Sequence, residues 1–235
     1  MTLVSNIIMI NPNGVQIYDR NIIDKFKTET IKDICTNVRE SVHQSVAVLL
    51  YLDKFTTDKE HHMISNSVST LTALSSYVQN CMSYVGVLES GCGSVSEGYT
   101  KSSLNLLGTS LFSELSKTFD LAKGLTAGDD DVNVVYENLV NMSMLVTFDF
   151  EHFHNIIMHM VSKIISNGHK GILSLKVWVD QDNVLMCTLD PIGLIEFEKD
   201  LLITKSIATC LGWSCVFIDY GIRICIPMTT YKLES

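Results

Sequence analysis

The chain has 235 residues, 46% of them apolar and 18% charged, and its 17 basic and 26 acidic side chains leave a net charge of −9. This is a globular composition, long enough for two modest cores, and it excludes a disordered chain. The acid surplus and the lack of any Lys/Arg run argue against nucleic acid as a partner, because binding to a phosphate backbone depends on clustered cations.

No stretch reaches the roughly 18–20 uninterrupted apolar residues of a membrane span, so no membrane is expected either. The seven cysteines, at 35, 81, 92, 187, 210, 215 and 225, are odd in number and lie mostly in apolar runs, where free Cys behaves as a small hydrophobe. They read as a reducing, cytoplasmic setting. Leu3 to Ile10 lacks a basic leader and runs into Asn11-Pro12-Asn13-Gly14, so a secretory signal is not expected. Residues 1–20 read instead as a β-hairpin, Ile7–Ile10 and Val15–Tyr18, turning through Asn-Gly.

Residues 21–92 read as a helical hairpin. In the first helix Ile31, Cys35, Val38, Val42, Ser45, Leu49 and Leu52 alternate spacings of four and three; in the second, Ile64, Val68, Leu71, Ser75, Val78, Met82 and Val85 do the same. Such a stripe is the mark of a bundle helix. Phe55-Thr56-Thr57-Asp58 separates the two, and Gly91-Cys92-Gly93 ends the second. A single hairpin covers its stripes on one side only, whereas two hairpins make a four-helix bundle, so a homodimer is expected. The other way to cover the stripes is against the chain's own remainder.

Residues 93–131 read as a connecting helix, from about Thr100 to Lys123, with Leu104, Leu107, Leu111, Leu115 and Phe119 on one face. Asp129-Asp130-Asp131 lacks the alternating oxygen ligands of a calcium loop and reads as a solvated turn. Residues 132–235 change rhythm. Strands are expected at Val132–Tyr136, Met144–Phe148, Ile172–Val179, Val184–Leu189, Cys215–Asp219 and Ile222–Ile226, with helices at His152–Asn167 and Leu201–Leu211. Helices against one mixed sheet make a two-layer α/β sandwich.

A helical hairpin, a connecting helix, then strand, helix, hairpin, helix, hairpin resembles the cytoplasmic core of sensor histidine kinases over about residues 21–228. The resemblance implies an α+β chain: an antiparallel helical hairpin forming a dimeric four-helix bundle, followed by a degenerate ATPase-like α/β sandwich. The stretch from His154 to Lys163 is similar to the family's helix with two Asn four residues apart, but His159 and Lys163 stand in those positions. An Asn amide there would coordinate magnesium, which a Lys cation repels. Leu189-Asp190-Pro191-Ile192-Gly193 is similar to the adenine-binding Asp-x-Gly-x-Gly motif, with Asp190 and Gly193 out of register by one. Leu201-Leu202-Ile203-Thr204 stands where glycines would admit phosphate, and the segment from Gly193 to Leu201 is too short for a nucleotide lid. No ATP, metal or other cofactor is therefore expected. What remains resembles the histidine phosphotransferases of bacterial phosphorelays, which carry phosphoryl groups between response-regulator receiver domains.

Phosphoryl carriage needs an accessible imidazole on a rigid element. His43 is the one histidine within the first helix, about 100° round from Val42. Arg39, one turn earlier, supplies a cation for the incoming phosphoryl group, and Glu40 and Gln44 flank the site. The family carries an acid directly after its phospho-accepting His and usually a Pro five positions on; Gln44 and Val48 stand there, and an alternative register puts Glu40 in the accepting position. His61 and His62 read as solvent-facing at the second helix's first turn. His152 and His154 point to different helix faces, so that pair with His159 does not read as zinc, and Cys92 lacks a placed base. Two functions follow: an ATP-independent histidine phosphotransferase, with a receiver domain or histidine kinase as partner, or a catalytically inactive pseudo-histidine-kinase that acts as a dimeric protein-binding module.

Overall fold

The structure, a computed structural model, describes residues 9–10, 16–17, 20–90, 109–126, 131–140, 145–190, 198–218 and 221–231. Short strands β1 (Met9–Ile10) and β2 (Gln16–Ile17) pair antiparallel. Helix α1 (Arg20–Leu52) then runs through a 3-10 turn (Asp53–Phe55) into α2 (Asp58–Ser90), and the two long helices pack side by side. The turn is held locally. The Thr57 hydroxyl and backbone N–H both donate to Glu60, a capping arrangement that satisfies a donor at the start of α2, and these bonds hold the Glu60 carboxyl below its usual range.

The remainder comprises β3 (Thr109–Ser110), α3 (Leu111–Gly124), β4 (Val132–Asn138), β5 (Leu145–Thr147), α4 (Phe150–Ser166), β6 (Gly171–Val179), β7 (Val184–Asp190), α5 (Glu198–Cys210), β8 (Ser214–Ile218), β9 (Gly221–Pro227) and β10 (Thr229–Tyr231). The chain is α+β. Its main sheet has five strands in the order β4-β6-β7-β9-β8, parallel between β4 and β6 and antiparallel elsewhere. Period-2 alternation buries Leu173, Leu175 and Val177 of β6 while Ile172 stays exposed, so one face of the sheet is covered. The cover is helical: Leu111, Leu115 and Phe119 of α3 and Phe153, Ile156, Met160 and Ile164 of α4 join those strand residues in one core. Gly221 is required where β9 meets β7, because a Cβ there would lie 2.6 Å from the Leu189 carbonyl oxygen.

Several expectations are corrected. The helix expected from about Thr100 to Lys123 does not run through Thr109–Ser110, which is strand, and its described part is Leu111–Gly124; a β-branched residue followed by an N-cap type, Thr109-Ser110, favours extension and then helix initiation. Leu104 and Leu107 lie outside the described residues. The expected single sheet is two: β5 leaves the main sheet and pairs with β3 on one side and β10 on the other, and β10 carried no signal beyond its β-branched Thr229 and Thr230. Cys210 is disulfide-bonded, against the expectation of seven free thiols; pairing depends on Cβ geometry that spacing does not disclose. Cys35, Cys187, Cys215 and Cys225 are free, and burial pushes the Cys187 thiol up to about 12. Among the described residues no helix is long and apolar enough to cross a membrane.

Two sides of α2 are used. Toward one lies α1; toward the other lie α4, α5 and α3. The second side follows Ser69, Ala73, Ser76 and Asn80, all buried and again spaced four, three, four. These are small or amide side chains, which let helices approach closely: Gly124 at the end of α3 comes so near Ser69 that a Cβ would collide with its hydroxyl. α1 packs principally on α2, so of its expected stripe only Val42 is buried, and an open groove runs past Val38, Val42, Ser45 and Leu49.

Candidate functional site

Residues four apart on a helix stack one turn above another, and antiparallel helices bring two such pairs face to face. On α1 the pair is Arg39 and His43; on α2 it is Ser75 and Gln79. His43 Nε2 lies 3.3 Å from Ser75 Oγ, and Arg39 Nη1 donates to Gln79 Oε1 at 3.1 Å. His43 is exposed and Arg39 half-buried, so the four side chains form a polar square on the rim of the hairpin. The structure thus brings two of the expected residues together. Gln44, the third, is exposed and lines the open groove with Ser41, Ser45, Val48 and Leu49. Chemically the square offers a cation held by a neutral amide, a hydroxyl, and an imidazole with solvent access, a combination suited to an oxyanion.

The residues expected around a degenerate nucleotide site are placed differently. His159 and Lys163 of α4 face α2 across a closed seam: the His159 ring is 1% exposed and 4.8 Å from the Tyr77 ring, and Lys163 Nζ stands 4.9 Å over that ring. Asn80, fully buried, lies with its amide nitrogen 3.0 Å from the Asn155 carbonyl and 3.3 Å from His159 Nδ1. Asp190 ends β7, exposed beside Gly221, and Gly193 lies outside the described residues.

One constellation was not anticipated. Asp149 caps the start of α4, accepting from the His152 backbone N–H at 3.0 Å, and its other oxygen lies 2.6 Å from His152 Nδ1; His152 Nε2 in turn lies 3.4 Å from Ser83 Oγ on α2. The order Asp-His-Ser is that of a hydrolase triad, but Ser83 sits within α2, whose backbone N–H groups are engaged in helix bonds, so no oxyanion donors converge on it. It joins two helices instead. The signal was there: Ser83 extends the stripe Ser69, Ala73, Ser76, Asn80 by a further three residues, and Asp149 stands at N-cap spacing before His152. His154 faces the other way, its Nδ1 3.1 Å from Thr118 Oγ1 on α3, and burial lowers its pKa below 6.5 while Glu114 opposes the shift. His61 and His62 are exposed, with His61 Nδ1 2.7 Å from Asp53.

No family model matches the chain. No curated protein matches it either. Among solved structures it is similar to full-length ShkA in complex with AMPPNP, at 11% identity and a TM-score of 0.49, covering 87% of this chain and 47% of that one. It is also similar to the histidine kinase domain of the Erythrobacter litoralis EL346 blue-light activated histidine kinase, at 13% identity and a TM-score of 0.38, covering 86% of this chain and 94% of that one. The Acinetobacter baumannii histidine kinase AdeS is similar at 16% identity and a TM-score of 0.34, covering 81% and 95%. The chain spans less than half the length of ShkA, whereas it covers most of the other two.

Proposed function

We propose that the chain is an ATP-independent histidine phosphotransferase of a two-component phosphorelay, with His43 carrying a phosphoryl group between receiver domains of response regulators. The observation that carries this reading is the rim of the hairpin, where an exposed imidazole stands one turn from a guanidinium whose partner is an uncharged amide. A nucleophile and a cation so spaced fit a phosphoryl group held in transit. In this reading residues 21–92 form the dimerising unit, residues 132–235 a degenerate ATPase-like unit, and the protein works in the cytoplasm as a homodimer. Magnesium belongs to the receiver's acidic site. In this reading ATP has no role on this chain, and the packing of His159 and Lys163 against Tyr77 of α2 supports it.

The second reading, a pseudo-histidine-kinase that docks a receiver or a kinase without chemistry, is favoured by one observation: Val48, Tyr51 and Phe55 expose apolar surface along α1 and its turn. Such a surface binds whether or not His43 reacts. The two readings separate in one experiment. The protein is incubated with receiver domains charged by acetyl phosphate, and alkali-stable label is mapped by mass spectrometry. Label on His43 that is lost in His43→Ala is the expected result. Binding of a receiver with no label on wild-type protein would transfer the assignment to the docking module.

A further inference from the structure

The reach of one serine deepens the carrier reading and rests on it. Four hydroxyls along this hairpin bond to their own helix: Ser41, Ser45, Ser67 and Thr72 each donate to the carbonyl four residues back, at 2.8–2.9 Å. That is the default for Ser and Thr within a helix. Ser75 departs from it and reaches across to α1, its Oγ 3.3 Å from His43 Nε2. One turn along, Gln79 crosses to Arg39 in the same direction. Both crossings converge on the same rim, and neither introduces a negative charge.

We infer that Ser75 is the positioning residue for His43: its hydroxyl donates to Nε2, keeps the imidazole proton on Nδ1, and shifts its hydrogen bond from Nε2 to a phosphoryl oxygen as the freed lone pair attacks. A neutral imidazole carries one N–H and one lone pair, so a donor at Nε2 selects the tautomer with its nucleophilic lone pair there. The step balances. The Nε2 lone pair attacks the phosphorus of the receiver's aspartyl phosphate, the P–N bond forms, the P–O bond to the carboxylate breaks, and the carboxylate leaves with that electron pair. The proton stays on Nδ1, and the phosphorylated ring is cationic beside its dianionic phosphoryl group. Ser75 Oγ, already near Nε2, is then within reach of a phosphoryl oxygen, with the Arg39 cation one turn away. Transfer to a second receiver is the reverse of the same step.

The test uses full-length protein and two readouts. Two-bond ¹H–¹⁵N correlation spectra of the neutral imidazole report its tautomer directly, without any phosphotransfer. Wild-type and Ser75→Thr proteins are expected to show His43 protonated on Nδ1, and Ser75→Ala to lose that preference; Ala is a strong helix former, so the fold is retained. In transfer from a phosphorylated receiver, Ser75→Ala is expected to lower the rate about tenfold at unchanged receiver affinity, the scale of one hydrogen bond to a charged group. Ser75→Thr restores it. A wild-type His43 protonated on Nε2 overturns the proposal, as does a Ser75→Ala protein that matches wild type in rate. Wild-type protein that accepts no phosphoryl group from any receiver overturns the carrier reading and this proposal with it, whereas a labelled wild type with an unaffected Ser75→Ala overturns this proposal alone.

Discussion

Asp149 grips His152 at two points: one carboxylate oxygen accepts the backbone N–H at 3.0 Å while the other lies 2.6 Å from ring Nδ1. The same side chain therefore starts α4 and fixes the ring that meets Ser83 on α2. Asp149 is buried, so nothing in solvent replaces those bonds. Loss of an N-cap costs about 1 kcal/mol and loss of a charge-assisted hydrogen bond about 1.5–3 kcal/mol, so Asp149→Ala should destabilise the fold by about 2–4 kcal/mol in urea unfolding. Asp149→Asn keeps an oxygen for the cap and should lose less. Equal losses in the two variants would mean that the cap contributes nothing and that the ring contact carries the whole loss.

Asn80 carries the middle of the same seam. Its amide nitrogen lies near both the Asn155 carbonyl and His159 Nδ1, and its Oδ1 is buried without a partner. Asn80→Ala removes one hydrogen-bond contact from the buried Asn155 carbonyl and one from the His159 ring, at a cost of about 1–3 kcal/mol. The loss is local to a helix contact, so amide exchange along α4 should accelerate more than exchange in β6 and β7. Uniform acceleration across helix and sheet would show that α2 and the sandwich open as one unit rather than along this seam.

The sequence disclosed the seam only in part. Long stripes such as Ile64, Val68, Leu71 announced a helix and one covered side, because apolar residues at helical period have no other use. The opposite side, Ser69, Ala73, Ser76, Asn80, repeats the same period in small and polar residues, which hydrophobic patterning does not weigh. That is why His159 and Lys163 were legible as departures from a magnesium site but not as seam residues. Strands β6, β7 and β9 were legible from alternation and β5 from the apolar run Met144–Phe148, whereas β3 and β10 are two or three residues long and owe their existence to pairing with β5. His43 and Arg39 were read from α1 alone; Ser75 and Gln79 belong to the site only because antiparallel packing sets them opposite. In the sequence Ser75 is only one member of the α2 stripe.

His154 makes stability depend on pH. Burial against α3 lowers its pKa below the ordinary 6.5, with Glu114 acting in the opposite direction and Thr118 supplying a neutral contact. A depressed folded value means that the unfolded chain takes up the proton first as pH falls. The contribution of His154 is therefore fully present above pH 6.5 and is lost as pH falls through 6.5 toward the folded value. Urea midpoints should drop between about pH 7.5 and pH 5.5, and His154→Gln should drop less over that interval. The same slope in both proteins would assign the acid sensitivity to other groups.

The last expectation concerns what covers α1. Val48, Tyr51 and Phe55 are 58%, 61% and 73% exposed in the single chain, and the Tyr51 and Phe55 rings pack edge to face at 5.3 Å beside the open groove. Burying each such side chain contributes about 1.5–3 kcal/mol, so a second hairpin laid along this face would gain most of what a small helical interface needs. Light scattering should therefore give twice the 26.2 kDa of one chain. Val48→Glu with Tyr51→Glu places carboxylates on that face at positions already exposed in the monomer, where surface substitutions change folding stability by only about 0.5 kcal/mol. The double variant should elute as a folded monomer with unchanged helical circular dichroism. A wild-type protein that stays at 26.2 kDa across a wide concentration range would sink the homodimer, and the exposed face of α1 would then be open to a different partner.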